Sequence, residues 1–256
     1  MKRAYADIPE GQIHYQFAGS GQPLLLLHQT AFSSVEYSQV MPILANHFHV
    51  VAMDTIGYGM SDPAPYVFEI ADYARTVKEF MTALGIAPAH IVGHHTGSSI
   101  GLELATAYPD LVKKLVLSGC PYYEASERKE RMTKFRPLQI TTDGSYILDK
   151  WRLFQQYMPN AGPENWHEFI ITQLRAGPRG EDGHYAVFRY DEKERLSKLT
   201  CPTLLIYGSK DTFISRLEPT QALVPHSQTK VIEGADALIA LEKPEEFARS
   251  ILDFLK

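Results

Sequence analysis

Cysteine is scarce. Two residues, Cys120 and Cys201, stand in a chain of 256, and two thiols cannot build a disulfide framework. Long apolar runs are missing too. Stretches such as Leu24–Leu27 fall far short of the ~20 residues that a membrane-spanning helix needs. Residues 1–20 contain no apolar leader core, because Tyr5, Asp7, Glu10 and Gln12 interrupt it. Basic residues form no stripe and the formal net charge is -5, so nucleic acid is not an expected partner. The mixed-charge run Glu127–Arg131 reads as a solvated helix face. Among ten histidines there is no HExxH, and no H-x-x-x-H pair with suitable partners, so no metal is implied. The adjacent His94 and His95 are expected to point apart on a tight turn. Repeats and low-complexity tracts are also absent. These absences leave a cytoplasmic protein with no membrane partner, metal or cofactor as the expectation.

Apolar material for a sizeable core is present: 45% of residues are hydrophobic and 11% aromatic. Segment 4–18 alternates apolar and polar residues around Gly11, the pattern of an edge hairpin. Short apolar runs follow at 23–28, 48–53, 89–93, 114–118, 202–207 and 229–232. Such runs suit strands covered on both faces, as in a parallel sheet. Between them, 68–84 places Ile70, Tyr73, Val77, Phe80 and Leu84 on one helical stripe, and 98–108 and 244–255 read as helices as well. The alternation predicts an α/β fold, a doubly wound, mostly parallel sheet with helices on both faces. It breaks between 121 and 198, where Trp151, Phe154, Tyr157, Trp166, Phe169, Tyr185 and Phe188 accumulate. The expected organisation is a core of 1–120 and 199–256 carrying a helical cap, 121–198. That cap would cover the carboxyl edge of the sheet, where ligands of open α/β sheets bind.

Several short motifs follow one another in a telling order. They are Leu27-His28-Gln29-Thr30, Asp54-Thr-Ile-Gly57-Tyr-Gly59-Met-Ser61, Gly93-His94-His95-Thr96-Gly97, Gly208-Ser-Lys-Asp211 and the closing Leu241-Glu-Lys-Pro-Glu-Glu-Phe247. Over nearly the whole chain this series resembles the α/β-hydrolase family. The first stands at its His-Gly oxyanion loop and the second at its D-x-x-G-x-G-x-S turn. The third stands at its G-x-S-x-G nucleophile elbow and the fourth at the motif that delivers the triad acid. Two departures matter. The elbow carries His95 where the family has serine. The family's catalytic histidine, five residues before the Glu of the closing motif, falls on Ala237. Of the three triad positions only Asp211 keeps its family residue. Gly97-Ser-Ser99-Ile-Gly101 also spells G-x-S-x-G. The apolar strand ends at Gly93, however, which puts Ser98 and Ser99 in the first turn of the next helix.

In the usual triad an acid orients a histidine that deprotonates the serine. Here His95 is expected to reach across the space left at Ala237 and bond Asp211 directly, forming a general base. The resemblance then implies an enzyme without a cofactor, acting on a small, mostly apolar ester, lactone or other carbonyl compound. The backbone N–H groups of Thr30 and Thr96 are the implied oxyanion donors. Gln29, Phe32, Trp151, Ala237 and Leu238 are the candidate substrate contacts. Lyase or isomerase chemistry on the same scaffold, an acyl-imidazole on His95, and a non-catalytic small-molecule binder stay open, as does a homodimer. Other polar residues have plainer readings. His28 holds its own loop, His94 packs, and Asp54 pins its turn. His47, His49 and His226 face solvent, and His167 and His184 lie in the insertion. Asp236, beside Ala237, is a second carboxylate candidate.

Overall fold

Eight strands form one sheet in the computed structural model, which describes residues 1–134 and 136–256. They are β1 (Lys2–Ile8), β2 (Gly11–Ala18), β3 (Pro23–Leu27), β4 (His49–Met53), β5 (Ala89–His94), β6 (Val112–Ser118), β7 (Thr203–Gly208) and β8 (Gln228–Ile232). The spatial order is β1-β2-β4-β3-β5-β6-β7-β8. The hairpin expected at 4–18 is the antiparallel pair β1–β2, with Ala6 opposite Ile13. The six apolar runs are β3 to β8, all mutually parallel. The α/β architecture is therefore as the sequence pattern predicts.

Helices cover both faces. They are α1 (Met41–Leu44), α2 (Ile70–Leu84), α3 (Thr96–Ala107), α4 (Ala125–Lys134), α5 (Ser145–Tyr157), α6 (Gly162–Ala176), α7 (Asp182–Arg189), α8 (Glu192–Leu196), α9 (Leu217–Leu223), α10 (Ile239–Glu242) and α11 (Pro244–Leu255). Side chains alternate along a strand, so the central strands feed two cores. Leu25 and Leu27 join one with Val77 and Phe80 of α2 and Ile100 of α3. Leu24 and Leu26 join the other with Met41 of α1 and Phe247 and Ile251 of α11. Between β6 and β7 the chain is helical, α4 to α8. Part of this stretch builds a third apolar cluster. Phe154, Met158, Phe169 and Ile170 gather there around Phe32, Leu238 and the edge of Ala237.

Two polar residues fix the loops at the carboxyl ends of β3 and β4. The His28 ring accepts from the Thr55 N–H at Nε2 (2.9 Å) and so carries its proton on Nδ1, which donates to the Gln29 carbonyl (2.8 Å). Asp54 accepts from the N–H groups of Ser34 (2.7 Å) and Met60 (2.8 Å) and from His14 Nδ1 (2.8 Å). Burial alone would raise its pKa, yet the His14 bond, the nearby His28 and these N–H donors hold it down to about 2. A carboxylate held below its unfolded value of 3.8 adds stability that is present above that value and fades as pH falls toward 2. Asp54→Asn should therefore cost about 2 kcal/mol at neutral pH, a difference that narrows in acid. Urea midpoints of the two proteins against pH check this.

Candidate active site

The sharp turn from β5 into α3 makes the site. Gly93 and Gly97 allow it, since a Cβ on Gly97 would lie 2.1 Å from the Leu27 carbonyl oxygen. At the apex His95 sits at φ 47°, ψ -114°, and among the described residues it is the one non-glycine with positive φ. Such strain persists only where the surroundings impose it and clusters at functional positions. Here two chain segments clamp the turn: the His95 N–H donates to the Ser118 carbonyl (2.9 Å), and the Ser98 N–H donates to the His95 carbonyl (2.8 Å).

The imidazole of His95 leans onto the loop after β7. Its Nε2 lies 3.0 Å from Asp211 Oδ2, and the other carboxylate oxygen accepts from the Phe213 N–H at 2.8 Å. Burial would push the Asp211 pKa up, but the facing His95, with the Phe213 N–H, holds it below the usual carboxylate value. A carboxylate only accepts, so Nε2 carries the proton and Nδ1 keeps the lone pair. Phe213 meets the imidazole edge-on, with centroids 4.9 Å apart. Gly119 runs beneath the pair, and a Cβ there would lie 2.6 Å from His95 Nε2 and 2.7 Å from Asp211 Oδ2. At its φ of +55° a side chain is strained as well. Gly119→Ala should accordingly displace the dyad and cost about as much activity as removing Asp211, measured as kcat/KM alongside circular dichroism to check folding.

His94 and His95 do not point apart, which corrects the expectation from the sequence. Their rings stack at 4.1 Å and 22°. His94 closes the end of a strand, with its ring drawn sideways by two bonds. Nδ1 accepts from the Ser118 hydroxyl (2.9 Å) and Nε2 donates to the Ala237 carbonyl (2.9 Å). The carbonyl at Ala237 is thus held by His94, with Gln29 Nε2 as a second donor at 3.1 Å, while His95 turns to Asp211. Complete burial, with His95 beside it, depresses the His94 pKa to about 3, so this ring is neutral at pH 7.

The loop after β3 rests on a buried acid, Glu36. Its Oε2 accepts from the Gln29 N–H at 2.9 Å, and full burial pushes its pKa to about 8 despite that bond. Glu36 Oε1 comes within 3.7 Å of His94 Nε2. Both groups are neutral at pH 7, so the approach is no ion pair. Thr30 and Thr96, the implied oxyanion residues, are buried. Among the described residues their backbone N–H groups donate to no protein acceptor.

The remaining candidates sort by place. Phe32, Ala237 and Leu238 share one apolar cluster with Trp151, whose ring lies edge-on to Trp166 at 5.7 Å. Asp236 is buried but accepts from the Leu238 N–H and lies beside Glu242 rather than His95. His47, His167 and His226 are exposed and His49 half-buried, and His184 bonds Glu181. Among the described residues no group of three or more metal-ligating side chains converges. No helix there is long and apolar enough to cross a membrane.

A family model described as alpha/beta hydrolase fold matches residues 22–142. Haloalkane dehalogenase 2 of Mycobacterium tuberculosis is 26% identical, over 96% of this chain and 92% of its own. The 2-(acetamidomethylene)succinate hydrolase of Mesorhizobium japonicum is 24% identical over 97% and 93%. A crystal structure of E-2-(acetamidomethylene)succinate hydrolase superposes with a TM-score of 0.79 over 99% of this chain and 98% of that one, at 22% identity.

The chain carries the α/β-hydrolase fold. At the elbow of that fold His95 presents an imidazole and no hydroxyl. The nearby serines do not restore one. Ser99 is buried and its hydroxyl donates to Glu192 (3.1 Å), while that of Ser98 donates to the His95 carbonyl (2.6 Å). Ser99→Ala is expected to leave turnover unchanged, as steady-state rates on any active substrate would show. Three site residues lie outside the motifs. Phe213 could have been found as the second residue after an acid, where an N–H commonly returns to the carboxylate. Glu36 and Ser118 carry no such signal, since only the fold buries them against Gln29 and His94.

Proposed function

We propose that this enzyme hydrolyses a small, mostly apolar ester, lactone or related carbonyl compound, without a cofactor, using His95 as a general base supported by Asp211. One observation carries the reading: the 3.0 Å bond between His95 Nε2 and Asp211 Oδ2 leaves Nδ1 as the basic nitrogen at the elbow. In the reaction Nδ1 takes a proton from water as the water oxygen bonds the substrate carbonyl carbon. The carbonyl oxygen gains the negative charge and is met by the Thr30 and Thr96 N–H groups, where one such donor is worth ~10²–10³ in rate. Collapse of the tetrahedral intermediate breaks the bond to the leaving oxygen, which receives the proton back from Nδ1. Asp211 stays ionised and stabilises the imidazolium between these steps. Gln29, Phe32, Trp151, Ala237 and Leu238 line the approach, under helices we read as a cap built from 121–198.

The test is a panel of short-chain p-nitrophenyl esters and small lactones, assayed with wild type and His95→Ala. Turnover that depends on His95 supports the reading. Turnover that survives His95→Ala sinks it. A higher melting temperature with a carbonyl compound and no turnover would mark a binding protein instead.

A further inference from the structure

A cavity of about 500 Å³ lies away from the elbow, between the edge hairpin, the Asp54–Met60 turn and α6. Its size falls within the range of small-molecule sites. Arg3 from β1 and Arg175 from α6 both line it. Among the described residues neither has an ion-pair partner, although Arg175 Nη1 lies 2.6 Å from Met60 Sδ, whereas Arg179 and Arg189 pair with Asp182 and Glu69. The wall also contains His14, whose side chain is only 8% exposed. Nδ1 of that ring donates to Asp54 at 2.8 Å, and its Nε2 meets no protein group among the described residues. Tyr5 stacks edge-on against the ring at 5.3 Å. Val35, Met60 and Ile171 supply apolar surface.

We propose that this cavity binds a small organic monocarboxylate, with the carboxylate on Arg3 and Arg175 and the apolar body against Met60 and Ile171. A guanidinium is the residue of choice for a flat, two-oxygen anion. The wall sets the charge of the ligand. Asp54 and Glu168 also line the cavity. Asp54 is already engaged by His14 and two backbone N–H groups, but its charge remains. The two cations are offset by the two carboxylates, so the wall carries little net charge; it is the pair of flat guanidinium groups that suits a planar monocarboxylate, and the carboxylates disfavour a dianion such as phosphate. His14 Nε2 stands ready for a hydroxyl on the ligand. Because Ser33, Ser34 and Val35 of the wall directly follow the oxyanion loop, and Thr172 of α6 donates to the Ala31 carbonyl at 3.2 Å, an occupied cavity would brace that loop against α6.

Calorimetric titration with benzoate tests this, using benzamide and inorganic phosphate as comparison probes. The expected result is benzoate binding that weakens at least about tenfold in the double variant Arg3→Gln with Arg175→Gln and persists in His95→Ala. That last arm separates this cavity from the elbow and makes the result independent of any hydrolytic activity. No binding of benzoate, equal binding of benzamide, tighter binding of phosphate, or benzoate affinity untouched by the double variant would each overturn the proposal.

Discussion

Replacing His95 by alanine should lower kcat/KM by about 10²–10⁴-fold, the range that a positioned general base supplies, with KM changing little. The reason is geometric. Asp211 is held by the Phe213 N–H and cannot itself reach past the imidazole, so no other group takes over the proton transfer. Asp211→Asn should fall in the same direction. An amide at that position can donate as well as accept, which removes both the fixed Nε2–H tautomer and the charge that stabilises the imidazolium. The rate loss in both variants should lie in kcat, because neither side chain is asked to bind the ground-state substrate. A loss confined to KM would mean that His95 only shapes the pocket.

The second large effect concerns stability rather than rate. Glu36 has a folded pKa of about 8 against an ordinary 4.5, through burial. The folded protein thus keeps a proton that the unfolded chain releases, and stability falls as pH rises through that interval. His94 works in the opposite sense. Burial sets it at about 3 against 6.5, so stability rises with pH up to about 6.5. The two slopes oppose one another in mild acid and leave Glu36 exposed above it. From about pH 6.5 to 8 the wild type should lose about 2 kcal/mol from this group, at about 1.4 kcal/mol per pH unit. Glu36→Gln keeps a hydrogen-bonding head of the same shape and should flatten that decline. Some slope should remain, since burial together with Asp236 also raises Glu242 to about 8. Glu36→Ala should instead destabilise at every pH, because the Gln29 N–H loses its acceptor. Denaturant midpoints across this range distinguish the three proteins.

Much of this was legible in the residues. Alternation at 4–18 and the six short runs specify the sheet, because strands buried on both faces, such as β3, β4 and β5, are mostly apolar. The elbow is legible because only glycine at 93 and 97 lets helix and strand approach so closely. The meeting of His95 with Asp211 follows from a long side chain at the apex of a turn that points into the site. What was not legible depends on three-dimensional neighbours. The stacking of His94 on His95 arises because Ser118 and the Ala237 carbonyl, far apart in sequence, draw the ring sideways. Glu36 looks like any surface acid within Ser-Val-Glu-Tyr, and only the packed fold shows it buried behind the loop that carries Gln29. Arg3 and Arg175 meet at one cavity because β1 and α6 do, and no pattern joins two residues so distant.

The most direct measurement is the nitrogen-15 spectrum of the His95 ring followed across pH, set beside the pH dependence of kcat/KM. Nε2 should remain protonated throughout, and Nδ1 should gain its proton over the same interval in which the rate falls on the acid side. Asp211→Asn should abolish the single tautomer. An Nδ1–H tautomer in the active protein, or an acid limb that appears while Nδ1 stays unprotonated, would contradict His95 as the base.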